Sequence, residues 1–319
     1  MPYNRSSWIV RAGRLYQEVS PLFGCVDRLV PRTPRSEGVM PFVCIVAPPR
    51  SGSTLTYQVL TSGIENLHLT NLWNLLYATP ALGALATRRL CRDVPSTFRS
   101  ANGFVPGLCG EAEGMRFWTH WAGQGLREQP DAWRPESLRE LSRVLDHAVP
   151  AGSAFISGYL GHLFCMELLR SVYPGIIFVH VKRDLLSNAY SMLQRSGNGW
   201  FSLVPGALER REFGSVHERV VAQVMELHRM ILSHSREEDT LQVEYGRLCE
   251  DPEAIVDTVV RFAAEKGVVL QRRDSAFPSF NAQQVAREHD DDTRLLVTLL
   301  EHEGGEMPEY ASFFRGLMP

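Results

Sequence analysis

The stretch Pro41–Leu60, PFVCIVAPPRSGSTLTYQVL, decides the fold expected of this 319-residue chain. An apolar run of strand length is followed by a tight loop and then by the start of a helix. Against the Walker A pattern, Gly52 and Thr54 match, whereas Ser53 stands where the lysine belongs. The nearest cation is Arg50, two residues before Gly52. The stretch therefore predicts a phosphate-binding loop without the lysine of ordinary nucleotide hydrolases.

This loop is suited to an anion. The backbone N–H groups of residues 51–55 would converge at a helix start, where the helix dipole adds a partial positive charge. Two plainer interpretations stay open at this point. Pro- and Ser-Gly-containing loops also form simple turns, and the chain has only two lysines, Lys182 and Lys266, so Arg50 is also consistent with a general preference for arginine.

Composition limits the classes of protein. With 44% hydrophobic and 22% charged residues, the chain is globular and long enough to bury a large core. The formal net charge of −3 provides no basic field, so we expect no nucleic-acid partner, and any anion site must be local. No apolar run approaches the length of a membrane span, and the N-terminus lacks the pattern of a signal peptide.

The six cysteines show no CxxC pair. Cys44 and Cys165 lie in apolar runs, where a small buried thiol is expected. Together with the missing signal peptide, this predicts a reduced protein in the cytoplasm.

Strands and helices alternate along most of the chain. Residues 1–38 are expected to form an arm or a leading helix, and 39–319 a single domain with helical insertions. Such alternation predicts an α/β fold with a mainly parallel central sheet covered by helices on both faces. The strands expected after the first are 153–157, 176–181 and 241–245, and the clearest helices are 134–149, 215–235 and 252–267.

A second constellation follows the strand at 176–181. Arg183 lies at the strand's end, and Ser191 lies eight residues further on in the next helix. Because ligands bind at the carboxyl ends of strands in open α/β sheets, Arg183 is expected on the same rim as the phosphate loop. The two elements could then hold two phosphates, since an arginine fork matches phosphate oxygens. Taken alone, Arg183 could equally pair with Asp184.

Together these motifs resemble the sulfotransferases that use 3′-phosphoadenosine 5′-phosphosulfate (PAPS). That family carries a Pro-[Lys/Arg]-Ser-Gly-[Ser/Thr]-[Ser/Thr] loop, here Pro49–Thr54, and an Arg-to-Ser element at the spacing of Arg183 and Ser191. Segments 71–80, 111–121 and 243–263 also resemble family segments. The chain departs from the family where Tyr-Glu-Asp-Leu is Tyr-Gly-Arg-Leu at 245–248, and the late Arg-Lys-Gly motif of cytosolic animal members is not evident.

The resemblance implies a P-loop-type three-layer fold and a set of site residues. The 5′-phosphosulfate would be bound by Arg50, Ser51, Gly52, Ser53, Thr54 and Leu55, and the 3′-phosphate by Arg183 and Ser191. It implies in-line transfer of a sulfonate to a hydroxyl of a small-molecule, carbohydrate or natural-product acceptor, without a metal. Arg50 would act as an electrostatic clamp at the leaving oxygen.

The reaction also needs a general base for the acceptor hydroxyl. The candidates are Glu113, Glu111 and His162, because family members use either a Glu or a His, and Glu113 is favoured. A P-loop kinase or nucleotide hydrolase and a catalytically silent nucleotide-binding relative remain as alternatives. The missing Walker lysine weighs against the first, and the presence of both Arg50 and Gly52 weighs against the second.

Overall fold

The computed structural model describes residues 27, 30, 39–101, 103–123, 125–197, 199–305 and 314. The arm or helix expected for residues 1–38 therefore lies outside the described residues, apart from Asp27 and Val30. The Asp27 carboxylate accepts a hydrogen bond of 2.9 Å from the backbone N–H of Leu82.

A parallel sheet forms the centre of the fold, in the strand order β2-β3-β1-β4-β5. The strands are β1 (Phe42–Val46), β2 (Asn66–His68), β3 (Ala154–Ser157), β4 (Ile176–Lys182) and β5 (Thr240–Glu244). All four pairings are parallel, and in the centre Phe42 pairs with Phe155 on one side and with Ile176 on the other. Every residue of β1 is buried, as expected of a strand covered on both faces.

Helices connect successive strands and cover the sheet. Their bounds are α1 (Ser53–Gly63), α2 (Asn71–Leu75), α3 (Pro80–Leu90), α4 (Met115–Ala122), α5 (Pro135–Ala148), α6 (Met166–Val172), α7 (Leu185–Ser196), α8 (Val216–His234), α9 (Tyr245–Glu250), α10 (Pro252–Glu265) and α11 (Asp291–Gly305). Three 3₁₀ turns add Pro130–Ala132, Leu160–Cys165 and Gly206–Leu208. The main core lies around the sheet, and a second apolar cluster joins α7, α8 and α11.

The α/β fold predicted from the sequence is confirmed, and the four strands and three clearest helices fall where the patterns place them. Among the described residues, no helix has the length and apolar character required to cross a membrane.

The expectation of fully reduced cysteines is wrong. Cys91, directly after α3, forms a disulfide with Cys109 in the following segment. Cys44, Cys165 and Cys249 are buried free thiols, as the apolar runs around the first two indicate. The pattern at Cys91 and Cys109 was uninformative because their spacing of 18 residues matches no short cysteine motif.

Candidate functional site

The phosphate loop lies between β1 and α1, at the carboxyl edge of the sheet. Gly52 occupies the position before the helix with a φ of 94°, a conformation that favours glycine. A methyl group added there would lie only 2.2 Å from the Tyr245 ring, so this ring packs directly on the loop. Arg50 also has a positive φ, of 67°, which marks a backbone held in an unfavourable conformation. The absence of a side chain at Gly52 therefore allows the Tyr245 ring to lie directly against the backbone of the loop.

The loop residues differ in what they offer to a ligand. The side chains of Ser51 and Ser53 are buried, whereas those of Thr54 and Leu55 are partly exposed in the first turn of α1. The hydroxyl oxygen of Ser51 is buried and has no hydrogen-bond partner among the described residues. Such an orphaned polar group is costly unless a ligand or water satisfies it.

The structure brings together the two elements that the sequence places on one rim. The Nε atom of Arg50 donates a hydrogen bond to the hydroxyl oxygen of Ser191 over 3.1 Å. The Nη1 atom of Arg183 donates to the Arg50 carbonyl oxygen over 2.8 Å. Arg50, Arg183 and Ser191 thus form one connected cluster between the phosphate loop and α7.

A third bond fixes this arrangement. The side-chain amide of Asn188 donates to the Pro49 carbonyl oxygen over 2.7 Å, while its own carbonyl oxygen Oδ1 has no partner among the described residues. Asp184 directly precedes α7, and its carboxylate accepts a bond from the backbone N–H of Ser187 over 2.8 Å. Asp184 therefore serves as a helix cap and forms no ion pair with Arg183, although its negative charge opposes the effect of burial on the pKa of Arg183.

The cluster concentrates positive charge. Burial, and then the neighbouring Arg195 and Arg183, lower the pKa of Arg50 from its usual value. Burial also lowers the pKa of Arg183. Among the described residues, none of these three arginines forms an ion pair with a carboxylate. Three guanidinium groups without a carboxylate partner favour an anionic ligand.

Arg183 is held by further contacts that the sequence did not reveal. Its guanidinium lies 5.1 Å from the centre of the Tyr245 ring, and its Nη2 atom donates to the Gln283 carbonyl oxygen. Its Nε atom is buried without a partner among the described residues. The residue is thus held in place by two of its five N–H groups, and Nε–H is among the three that are left for a ligand.

Glu113 lies beside the phosphate loop, just before α4. A methyl group added to Gly103 would lie 3.2 Å from Glu113 Oε1 and 3.7 Å from Thr54 Oγ1, so both side chains border Gly103. Burial raises the pKa of Glu113 to about 7. A carboxylate with this pKa can accept a proton at neutral pH, which is the property required of a general base.

The other two candidate bases, His162 and Glu111, make different contacts. His162 is fully buried, its Nε2 atom lies 2.8 Å from the Ser157 hydroxyl oxygen, and its ring makes an edge contact with Trp118 at 4.4 Å. Burial lowers the pKa of His162 to about 3. Glu111 is also buried, and one of its carboxylate oxygens lies 3.5 Å from the side-chain amide of Gln58. Glu113 therefore borders the same glycine as Thr54 of the phosphate loop, whereas the contacts of His162 and Glu111 are with Ser157, Trp118 and Gln58.

The sequence does not single out Asn188, Tyr245 or Gln283 as site residues. A signal exists for Asn188, because it lies on the same helix as Ser191 and close to the strand end. Tyr245 belongs to the segment that departs from the family motif, and Gln283 lies in a segment without regular secondary structure. Among the described residues, no group of three or more His, Cys, Asp or Glu side chains could hold a metal ion.

Fold and site together define an α/β protein with a strand-to-helix loop and a cluster of arginines at the carboxyl edge of a parallel sheet. The family model described as the sulfotransferase family matches residues 41–266, which is more than half of the chain. The protein belongs to the sulfotransferase family.

Solved structures of bacterial sulfotransferases are similar to the chain. Sulfotransferase STF1 from Mycobacterium tuberculosis is 15% identical, with 92% of this chain and 80% of that chain covered and a TM-score of 0.47. Sulfotransferase STF9 from Mycobacterium avium is 14% identical, with 83% and 73% covered and a TM-score of 0.48. Among curated protein sequences, none matches significantly. The assignment therefore rests on the family model.

Proposed function

We propose that the protein transfers a sulfonate group from PAPS to a hydroxyl group of a small-molecule or carbohydrate acceptor. The observation that carries this proposal is the contact between Arg50 of the phosphate loop and Ser191 of α7, reinforced by the bond from Arg183 to the Arg50 carbonyl. A ligand with two separate anionic groups could bind the phosphate loop and the Arg183–Ser191 element at the same time. PAPS has them in its 5′-phosphosulfate and its 3′-phosphate.

The orphaned polar atoms fit such a donor. Ser51 Oγ and Arg183 Nε are buried without partners among the described residues, and both are donors suited to phosphate oxygens. The Ser191 hydroxyl oxygen accepts from Arg50, which leaves its own proton for donation to a ligand. The backbone N–H groups of residues 51–55 at the start of α1 add the anion-binding site typical of a helix N-terminus.

When bound, PAPS would supply the sulfonate, and 3′-phosphoadenosine 5′-phosphate would leave with the oxygen that had carried it. Arg50 neutralises the negative charge that develops on that oxygen, and because a guanidinium keeps its proton it acts electrostatically. Glu113 accepts the proton of the acceptor hydroxyl as that oxygen forms its bond to sulfur. The fixed contacts of Arg183 and Asn188 orient the loop before substrate arrives, which lowers the entropy cost of the reaction.

The acceptor side is expected in the long connection between β2 and β3, which contributes both Gly103 and Glu113. Residues 39–319 are proposed to form one catalytic domain with this connection as its helical insertion. A cytoplasmic location stays a prediction, and the Cys91–Cys109 disulfide weighs against it because disulfides are rare in reducing compartments.

Thermal unfolding with ligands tests the proposal. The product 3′-phosphoadenosine 5′-phosphate (PAP), at about 100 times its Kd, should raise Tm by roughly 5 °C, whereas ATP with magnesium should have little effect. Arg183→Gln should abolish the PAP shift, and the control Arg139→Gln, on the exposed side of α5, should retain it. Stabilisation by ATP with magnesium alone would instead favour a phosphotransferase.

A further inference from the structure

The segment from the end of α3 to the disulfide exposes an unusual number of apolar side chains. Leu90 is 67% exposed, Val94 54%, Leu108 51% and Phe104 40%. These four are half of the eight large apolar residues that are exposed in the described part of the chain. We call residues 88–108 the basic–apolar strip. Exposed apolar groups concentrated in one segment mark an interaction surface.

The same strip is strongly basic. Arg88, Arg89, Arg92 and Arg99 are all exposed, and Asp93 is the single acidic residue between positions 88 and 108. The strip therefore carries a formal charge of +3 within a chain whose net charge is −3. No ion pair of these arginines with a described carboxylate is formed. Its charge is thus available to an anionic partner.

The structure holds the strip in a compact shape. The Cys91–Cys109 disulfide brings the residues next to Leu90 and Leu108 together, with 5.2 Å between the two cysteine Cα atoms. The Leu108 carbonyl oxygen accepts from the Leu72 backbone N–H over 2.8 Å, and the Asn71 side-chain amide donates to the Val105 and Gly107 carbonyl oxygens over 2.8 and 2.7 Å. Apolar groups on a braced loop are exposed because of the fold rather than through local unfolding.

We propose that the basic–apolar strip docks the protein on an anionic membrane surface. Leucine, valine and phenylalanine side chains would insert into the interface, and the arginines would bind acidic headgroups. This combination distinguishes a lipid surface from a purely apolar protein partner, which would leave four arginines without counter-charges. Because Gly103 of the strip borders Glu113, docking brings the acceptor side of the site close to the lipid interface.

Co-sedimentation with lipid vesicles tests the proposal, independently of sulfonate transfer. The full chain should sediment with vesicles of equal parts phosphatidylcholine and phosphatidylglycerol, and much less with phosphatidylcholine alone. Arg89→Gln and Arg92→Gln should each weaken partitioning roughly fivefold. High salt should release most of the bound protein, because it screens headgroup charge.

Variants of the exposed apolar residues, compared with matched controls, distinguish docking through the strip from nonspecific adsorption to vesicles. Leu90→Ser and Leu108→Ser should weaken binding even at constant charge, since both residues are exposed and their substitution leaves the core intact. The controls are Val269→Ser, at a site 72% exposed, and the exposed Arg139→Gln, which should bind like the parent protein. An unchanged Tm for each variant would show that it is folded.

Three results would overturn the proposal. The first is no sedimentation of the parent protein with acidic vesicles. The second is equal binding by strip variants and controls. The third is a dimer by size-exclusion chromatography that Leu90→Ser dissociates while vesicle binding is absent, which would assign the strip to a second copy of the chain.

Discussion

Glu113 is the side chain on which the proposed chemistry depends most directly. Glu113→Gln keeps the size and polarity of the group but removes the proton acceptor, so we expect kcat to fall about 10²- to 10⁴-fold while PAP affinity stays nearly unchanged. The matched control is Glu111→Gln, because Glu111 is a buried carboxylate of the same segment with a bond to Gln58. Its kcat should stay within a few-fold of the parent. A folded His162→Asn variant that lost more turnover than Glu113→Gln would contradict the assignment.

The raised pKa of Glu113 predicts a pH profile. Below about pH 7 the buried carboxyl is protonated and cannot act as a base, so kcat should rise with pH through about 7 and then level off. The inflection should disappear in Glu113→Gln. An inflection near pH 4.5, the usual value for Glu, would show that the carboxyl is not desolvated during turnover.

Ser191 should contribute to donor binding rather than to the chemical step. Ser191→Ala removes the hydroxyl that accepts from Arg50 and that is proposed to donate to a phosphate. A lost hydrogen bond to a charged group costs about 1.5–3 kcal/mol, so PAP affinity measured by calorimetry should fall roughly 10- to 100-fold. Ser196→Ala, near the end of the same helix, is the control, because among the described residues the Ser196 hydroxyl donates to the Leu193 carbonyl alone. Equal affinities of the two variants would disprove the role.

Among single site residues, those that belong to sequence motifs can be predicted, whereas those that act only through long-range contacts cannot. Arg50 and Ser191 are 141 residues apart, yet each belongs to a strand-to-helix element that could be recognised, and the sheet brings the elements together. Gln283 contributes only a backbone carbonyl, which any residue type provides. No residue pattern can therefore identify it.

At the scale of structural elements, the Cys91–Cys109 disulfide closes the segment that follows α3. Opening the Cys91–Cys109 disulfide should lower the free energy of unfolding by about 3 kcal/mol, because the bond closes a loop of 18 residues in the unfolded chain. Reductant should therefore lower the urea midpoint of the parent protein. A Cys91→Ser, Cys109→Ser double variant should be equally destabilised and insensitive to reductant. Alkylation of both cysteines in unreduced, urea-unfolded protein would contradict the disulfide.

The elements that the sequence predicts are those with strong periodicity. The strand β1 and the helix α10 have an apolar run or a helical apolar pattern that can be identified without knowledge of their neighbours. The strand β2 has only three residues, Asn66–His68, two of them polar, and forms because it pairs with β3 at the sheet edge. Tertiary pairing rather than local preference decides such a strand.

At the scale of the whole molecule, the buried histidines predict sensitivity to acid. Burial lowers the pKa of His162 and of His228 to about 3, and burial with the neighbouring His228 and Lys182 lowers that of His180 well below its usual value. In the unfolded chain these groups titrate near 6.5. Between about pH 6.5 and 3 the unfolded state therefore binds more protons, so stability present above pH 6.5 is lost as the pH falls.

Titration of Glu113 changes the stability in the opposite direction, but its contribution is smaller than that of the histidines. Its folded pKa of about 7 exceeds the usual 4.5, so the folded state holds the extra proton between these values and gains stability as the pH falls. One carboxyl opposes these three histidines, which together could contribute up to about 4 kcal/mol per pH unit, and His68, whose pKa burial lowers to about 4, acts in the same direction as they do. The net effect below pH 6.5 should be destabilising, since a typical domain has only about 5–15 kcal/mol in total.

Urea unfolding at pH 7.5, 6 and 5 measures this balance. The midpoint should fall steeply between pH 6 and 5, because each buried neutral histidine then favours the unfolded state by about 1.4 kcal/mol per pH unit. His228→Leu should lower the slope of the unfolding free energy against pH by the equivalent of about one proton, whatever its effect on stability at pH 7.5. The control His289→Gln, at an exposed position, should leave that slope unchanged. A midpoint that stays constant from pH 7.5 to 5 would mean that these histidines accept protons without unfolding the protein.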